Sequence, residues 1–348
     1  RLTHHLPNRG KRPSPRRNGL FLFIHYFAFM KQKNLLIAFG FCLIFTVFSS
    51  CGLFHKKQPA VVKPDLIIGY FPSSDMFPYY LAYTQGYLDS LQVIISFQRM
   101  ESRQQCDTLY RAGKLDGCIF DLTDALRMSA HGNKIYPVMG NEGCFYLLGT
   151  PDSTILGYQL LKDKTLAVES YTASDYLADR IIRLAGLTND DLGKPEIDND
   201  YVRLDMLLNG QIDAGIFREP YSTQAVRGHA LKLYSFNDMN EITTVTAFSR
   251  QTLDKKADAI RKLITGYNLA VEHLNTRPVK EWYRAVADSI GFPQWEAPAR
   301  LATFHKARPI PQSSVDSVAK WMKLYELIPQ NYKGDIVDRT LINSLKQD

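Results

Sequence analysis

The sequence lacks the short motifs that identify common enzyme and cofactor sites. It contains no Gly-x-Ser-x-Gly, no phosphate-binding Gly-Lys-Ser/Thr loop, no His-Glu-x-x-His and no Gly-x-Gly-x-x-Gly. The histidines beyond residue 52 are widely spaced, and we expect them at surface or helix-end positions: His55, His131, His229, His273 and His305. We therefore predict no catalysis, no bound metal and no cofactor.

Cysteine is also scarce, with five residues in a chain of 348. Cys42 and Cys51 lie near the amino terminus, which leaves Cys106, Cys118 and Cys144 in the body of the chain. Three cysteines do not form a disulfide framework, and there is no Cys-x-x-Cys pair to hold zinc. We expect Cys106 and Cys118 to pack as small apolar side chains.

The body of the chain has no excess of basic residues, although the formal net charge is +7. Residues 1–29 hold six basic residues and no acidic one, and Lys31 and Lys33 add two more. The remainder from Gly52 onward has a net charge of −1. Nucleic acid is therefore not expected as a partner.

A membrane-spanning run is missing as well. The apolar run of residues 35–48 has fourteen positions, whereas a transmembrane helix needs about 20. Basic residues precede the run and small residues follow it, as in an export signal. Phe48-Ser-Ser-Cys51 resembles a bacterial lipoprotein cleavage box, with Phe48 in place of the usual Leu, so Cys51 is predicted to be lipid-modified. An uncleaved anchor helix is the alternative.

These features predict the organisation of the amino-terminal part. We expect residues 1–29 to be untranslated or non-native upstream sequence, with the natural start at Met30. Residues 30–51 would be the lipoprotein signal, and the polar, proline-bearing residues 52–64 would be a tether. The protein would then be exported and lipid-anchored in the cell membrane, facing the periplasm or the cell exterior.

One pattern of helix, glycine turn and apolar strand occurs twice. Gly210 can end a helix in the left-handed conformation, Asp213 lies in the turn, and residues 214–217 suit a buried strand. The stretch Gly113-Lys-Leu-Asp-Gly-Cys-Ile-Phe120 matches Gly210-Gln-Ile-Asp-Ala-Gly-Ile-Phe217. Since ligands of open α/β sheets bind beyond the carboxyl ends of strands, the polar residues after each copy are site candidates.

The second copy also carries a family resemblance. Gly210-Gln-Ile-Asp-Ala, then Glu219-Pro220, Tyr221 and Gly228, resembles substrate-binding proteins of ABC importers for nitrate, sulfonates, taurine and thiamine-precursor pyrimidines, the NMT1/THI5-like family. The likeness covers residues 65–345. It implies an α/β fold of the bilobal, type II periplasmic-binding-protein class, with two hinge crossings near Pro151 and residues 238–241. Lobe 1 would comprise residues 65–150 plus 241–348, and lobe 2 residues 151–240.

Several helices and strands can be placed within this framework. Residues 65–71 are continuously apolar, which predicts a central, parallel strand. Residues 135–139 and 145–149 are predicted to be strands of lobe 1. The apolar spacing of residues 256–274 predicts a long helix, and residues 313–327 predict another that begins with a serine cap. Asp121 or Thr123 could cap the helix that follows the first copy.

The predicted ligand-binding residues follow strands or begin helices. They are Ser73, Ser74, Phe77, Asp121, Thr123, Tyr171, Thr172, Ala173, Ser174, Arg218, Glu219 and Tyr221. Residues 172–174 start a helix, where free N–H groups favour an anion, although a Ser/Thr cap that serves only the helix is the alternative.

The chemistry of these residues leaves the ligand class open. The helix start together with Arg218 would suit a sulfonate or another oxyanion. The aromatic residues near the strand ends, with Glu219, would instead suit a flat heterocycle, and we favour a pyrimidine-like or other small organic solute over nitrate. Asp121, Glu142 and Glu219 could also form a catalytic carboxylate pair, but in a binding cleft they would accept hydrogen bonds from the ligand.

The function predicted from the resemblance is that of a monomeric, lipid-anchored solute-binding protein. It would close two lobes over a small molecule and deliver it to the permease and ATPase subunits of an ABC importer. One alternative is an enzyme on the same fold, of the pyrimidine-synthesis or menaquinone-pathway type. Another is a surface lipoprotein that has lost its pocket and binds a protein partner.

Overall fold

The computed structural model describes residues 63–151, 153–239 and 241–344. The chain divides into a unit of residues 1–62 and a unit of residues 63–348, and only the second contains described residues. The predicted upstream segment, the signal with Cys51 and the tether as far as residue 62 lie outside them. No helix among the described residues is long and apolar enough to cross a membrane.

Strands and helices mostly alternate as far as Ser249, and the described elements after it are helices only. The strands are β1 (Leu66–Tyr70), β2 (Ile95–Arg99), β3 (Gly117–Asp121), β4 (Ile135–Gly140), β5 (Phe145–Gly149), β6 (Leu166–Ala167), β7 (Ala214–Arg218), β8 (Leu231–Ser235) and β9 (Thr244–Ser249). The helices are α1 (Met76–Thr84), α2 (Tyr87–Ser90), α3 (Arg103–Arg111), α4 (Leu122–Ala130), α5 (Ala173–Leu184), α6 (Asp200–Leu208), α7 (Tyr221–Arg227), α8 (Arg250–Lys255), α9 (Ala257–Thr276), α10 (Val279–Ile290), α11 (Gln312–Leu324) and α12 (Thr340–Ser344).

The first sheet has five strands in the order β2-β1-β3-β9-β4. β1 pairs in parallel with both of its neighbours, β2 and β3, which confirms the prediction of a central, parallel strand. β9 is inserted antiparallel between β3 and β4, although it comes last in the chain. The chain therefore leaves this sheet after β4 and returns to it with β9.

The second sheet has four strands in the order β6-β7-β5-β8. β5 pairs antiparallel with β7 on one side and β8 on the other. The assignment of residues 145–149 to lobe 1 is therefore wrong. All five residues of β5 are buried, and the strand has neighbours on both edges in the second sheet. The chain passes from the first sheet to the second between Gly140 and Phe145, ahead of Pro151.

The repeated motif forms the same turn in both sheets. Gly113 and Gly210 adopt the left-handed conformation, with φ of 66° and 67°. In the first copy, Asp116 Oδ2 accepts a hydrogen bond from the Ile67 N–H of β1 at 2.8 Å. In the second, Asp213 Oδ2 accepts one from the Thr165 N–H, just before β6, at 2.9 Å. Each aspartate therefore ties its turn to the start of the parallel strand that pairs with the strand after the turn.

Long helices cover the first sheet. The apolar face predicted for residues 256–274 is buried in α9, where it packs against α1. The serine cap predicted for residues 313–327 is absent, because α11 begins after Pro311 without a side-chain cap. Ser314 Oγ instead accepts a hydrogen bond from the Ile242 N–H at 3.0 Å. This serine therefore fixes α11 to the segment that leads into β9.

Candidate ligand-binding site

A cavity of about 190 Å³ lies between residues of the two sheets. Most of its lining comes from the carboxyl ends of strands and the residues that follow them. The residues that contribute are Phe71, Pro72, Ser73, Glu101, Ser102, Arg103, Ile119, Phe120, Asp121, Asp124, Glu169, Asp198, Asp200 and Arg218. Of the predicted residues, Ser73, Asp121 and Arg218 are brought together here, at the edge where ligands of open α/β sheets bind.

Asp121 makes the central contact of this cavity. It is the last residue of β3, its exposed fraction is 4%, and its Oδ2 accepts a hydrogen bond from the Ala173 N–H at 2.9 Å. Arg218, the last residue of β7, donates from Nη1 and Nη2 to the same carboxylate at 3.4 Å each. A side chain of the first sheet is therefore bound by two groups that follow strands of the second.

The prediction that Asp121 or Thr123 caps α4 is wrong. Asp121 occupies the N-cap position, but its side chain makes no cap hydrogen bond, because the carboxylate is engaged by Ala173 and Arg218. Thr123 lies inside the helix, and its buried Oγ1 has no hydrogen-bond partner among the described residues.

Arg218 is held on more than one side. Its guanidinium lies 4.6 Å from the centre of the Phe145 ring, a cation–π contact. Burial alone would lower its pKa, but the carboxylates around it, Asp121 first, outweigh burial and raise the pKa above its ordinary value. Arg218 therefore stays charged, and its charge is already balanced from within the protein.

The start of α5 is also satisfied from within the chain. The Ala173 N–H binds Asp121, and the Ser174 N–H donates to Thr172 Oγ1 at 3.1 Å. The Tyr171 N–H donates to Asp175 Oδ2 at 2.9 Å, while the Tyr171 side chain is half exposed. Thr172 therefore caps the helix, as the alternative interpretation predicted, while the Ala173 N–H is bound by a carboxylate of the protein itself.

A second contact spans the cavity and was missed from the sequence. Arg103 Nη2 donates to Glu169 Oε1 at 2.9 Å, and its Nε lies 3.3 Å from Asp124 Oδ1. Glu169 lies two residues after the end of β6, so the strand-end rule could have identified it. Arg103 and Asp124 lie on α3 and α4, and no local pattern indicates that these two helices meet at the cleft.

The cavity lining has an excess of negative charge. Six carboxylates line it against the two guanidinium groups of Arg103 and Arg218. Burial, followed by repulsion from Asp200, raises the pKa of Glu169 to about 7. Nevertheless, the described residues contain no group of three or more His, Cys, Asp or Glu side chains that could hold a metal ion.

The segment after β1 continues the site behind Ser73. Ser74 is fully buried and its Oγ donates to the Gly143 carbonyl at 3.5 Å. Asp75 Oδ1 accepts hydrogen bonds from the Gly143 N–H at 2.9 Å and from Thr244 Oγ1 at 3.1 Å. These contacts fix the segment after β1 to the connection between β4 and β5 and to the first residue of β9.

Phe77 was predicted to bind the ligand, but it does not line the cavity. It is completely buried on α1, and its ring lies 5.9 Å from the rings of Trp282, Tyr283 and Phe292. The aromatic side chain is part of the core of the first sheet, where edge-to-face packing stabilises α1 against α10.

Glu219 and Tyr221 also lie apart from the Asp121 cavity. Glu219 lines a separate cavity of about 610 Å³ beside α7, and its Oε2 accepts a hydrogen bond from the Thr223 N–H at 3.3 Å. Burial raises the pKa of Glu219 above its ordinary value. The Tyr221 ring packs edge-on against Trp295 at 5.3 Å. The turn after Arg218 therefore directs these side chains away from Asp121.

The sequence and the fold are similar to those of known proteins. The family model described as NMT1/THI5 like matches residues 73–281. No curated protein matches the sequence.

Solved structures resemble the chain at low sequence identity. The aliphatic sulphonate binding protein SsuA from Escherichia coli is 18% identical, with a TM-score of 0.67 over 80% of this chain and 94% of that one. SsuA from Xanthomonas axonopodis pv. citri bound to MOPS is 18% identical, with a TM-score of 0.63 over 80% and 100%. The nitrate-binding protein NrtA from Synechocystis PCC 6803 is 11% identical, with a TM-score of 0.63 over 81% and 88%. The predicted type II periplasmic-binding-protein fold is thereby confirmed.

Proposed function

The chain belongs to the NMT1/THI5 like family, and from this premise we propose that it is a solute-binding protein and not an enzyme. One observation carries the proposal, the cavity lined by strand ends of both sheets. Such a cleft can enclose a small organic solute and close around it. The cysteine nearest the chain crossing, Cys144, is a poor nucleophile, because burial raises the pKa of its thiol.

The two lobes of this proposal follow the two sheets. Lobe 1 comprises residues 63–140 and 244–344, and lobe 2 comprises residues 145–235, with the connecting segments as hinges. A solute that touches both lobes binds the closed form better than the open form and therefore shifts the population towards closure. Closure would present the loaded protein to the permease and ATPase subunits of an ABC importer. The likeness to SsuA and NrtA supports this transport role.

Export and membrane anchoring through Cys51 belong to the same proposal. Export is supported by the likeness to periplasmic proteins, and anchoring by the cleavage-box sequence. We expect metabolic labelling with a fatty acid to mark the wild-type protein and to miss the Cys51→Ala variant. Equal labelling of both proteins would rule out this site.

Solute binding is tested by thermal unfolding of the full chain with pyrimidines, taurine, alkanesulfonates and nitrate. A ligand present at about 100 times its Kd adds roughly 2.7 kcal/mol to the free energy of unfolding, which raises the Tm by a few degrees. Ser73→Leu should abolish the shift, because Ser73 lines the cavity. Ser289→Leu on the exposed face of α10 is the matched control and should preserve it.

Two results would contradict the proposal. One is a Tm that no solute changes, neither the four classes named above nor other classes of small solute. The other is a solute whose shift is the same in the wild type and in Ser73→Leu, because that solute would bind outside the cavity.

A further inference from the structure

The anion site of the cleft already holds an anion. We define the anion site as the Ala173 N–H at the start of α5 together with the Arg218 guanidinium, both from lobe 2. The carboxylate of Asp121 from lobe 1 accepts hydrogen bonds from both groups, at 2.9 Å and 3.4 Å. A helix start combined with a guanidinium is the arrangement that binds a free oxyanion in other proteins.

We propose that Asp121 is a specificity-determining residue that fills the anion site and makes the cleft select neutral or positively charged organic solutes over oxyanions. The inference deepens the proposed function and rests on it. It narrows the solute class and sets sulfonates and nitrate aside.

Among the described residues, the hydrogen-bond partners of the Asp121 carboxylate are the Ala173 N–H and the Arg218 guanidinium. Asp121 is the N-cap residue of α4, yet it makes no side-chain hydrogen bond to that helix. Its backbone lies within β3, so the carboxylate is tethered at the anion site. A free oxyanion would have to compete with this tethered group, whose effective concentration is in the millimolar range or higher.

The rest of the cleft offers no second cationic group to an oxyanion. Arg103, the other guanidinium of the lining, is engaged by Glu169 and Asp124 at 2.9 Å and 3.3 Å. The lining has four more carboxylates than guanidinium groups. An anionic solute would meet like charge, whereas an amine or amidine group would find carboxylate acceptors.

The test compares methanesulfonate binding by isothermal titration calorimetry in variants of the full chain. Asp121→Ser removes the charge, vacates the anion site and keeps a good N-cap residue for α4. We expect this variant to bind methanesulfonate at least about tenfold more tightly than the wild type. The double change Asp121→Ser with Arg218→Gln should lose that gain, because the guanidinium is needed to hold the sulfonate.

Asp121→Asn is the matched control for occupancy. The amide has the size of the carboxylate and can still accept a hydrogen bond from the Ala173 N–H, so it continues to fill the site. We expect a smaller gain in methanesulfonate affinity than Asp121→Ser shows. The Tm of each variant, measured first, verifies that it is folded.

One outcome would overturn the inference: folded Asp121→Ser binds methanesulfonate no more tightly than the wild type does. If Asp121→Ser does not fold, the Tm of the wild type tests the inference instead. The inference predicts that this Tm is the same in methanesulfonate and in chloride at equal ionic strength. A wild type stabilised by methanesulfonate would leave the solute-binding proposal intact and overturn only the role of Asp121.

Discussion

Asp75 shows how a single buried carboxylate links the site to the stability of the fold. Its exposed fraction is 3%, and it accepts hydrogen bonds from Gly143, which lies between β4 and β5, and from Thr244, the first residue of β9. Burial raises the pKa of Asp75 to about 6, and the Gly143 N–H opposes this only in part. The folded protein therefore binds this proton more tightly than the unfolded chain does.

The sign of the resulting pH dependence follows from linkage. A folded pKa above the unfolded value of 3.8 contributes stability that is fully present below pH 3.8 and is lost as the pH rises to about 6. Asp75→Asn removes this titration. The free energy of unfolding of the wild type relative to Asp75→Asn should fall by about 3 kcal/mol across this range.

Urea unfolding of both proteins at several pH values measures this difference. Asp258→Asn is the matched control, because the Asp258 side chain on α9 is 77% exposed, and its profile should follow that of the wild type. A constant difference between wild type and Asp75→Asn from pH 4 to pH 7 would show that Asp75 does not titrate in this range.

At the scale of helices and strands, the sequence predicted those features that depend only on neighbouring residues. The turns at Gly113 and Gly210 were found from the sequence, since a left-handed residue that ends a helix favours glycine and the buried strand after it is apolar. The sequence did not show to which of the two sheets β5 belongs. Its residues are apolar and buried, and such a run has the same sequence pattern in either sheet. Its partners β7 and β8 lie about 60 residues or more away along the chain, and only the folded chain selects them.

The candidate site divides in the same way. Ser73, Asp121 and Arg218 were identified because each lies at or just past a strand end, which is a local property. Glu219 and Tyr221 also follow a strand end, but the direction of their side chains depends on the turn after β7. Glu219 lines the second cavity, and Tyr221 packs against Trp295. The charge balance of the cleft could not be predicted, because it depends on contacts between helices and between sheets.

For the whole molecule, two ion pairs cross the cleft between the proposed lobes. Asp121 with Arg218, and Arg103 with Glu169, both join residues of lobe 1 to residues of lobe 2. The first pair is mostly buried and the second is partly exposed. Ion pairs of both kinds contribute little net stability, since the loss of hydration and screening by water offset much of the attraction. A bound solute that contacts both lobes would therefore decide the balance between open and closed forms.

This balance predicts compaction of the full chain by any solute that raises the Tm. Small-angle scattering should give a smaller radius of gyration at saturating solute than without it, because solute contacts to both lobes favour the closed form. A solute of similar size that leaves the Tm unchanged is the control and should leave the scattering curve unchanged. The control for binding is calorimetry with the same solute. If that solute binds and the scattering curves are still identical with and without it, the lobes are already closed, and hinge closure has no part in capture.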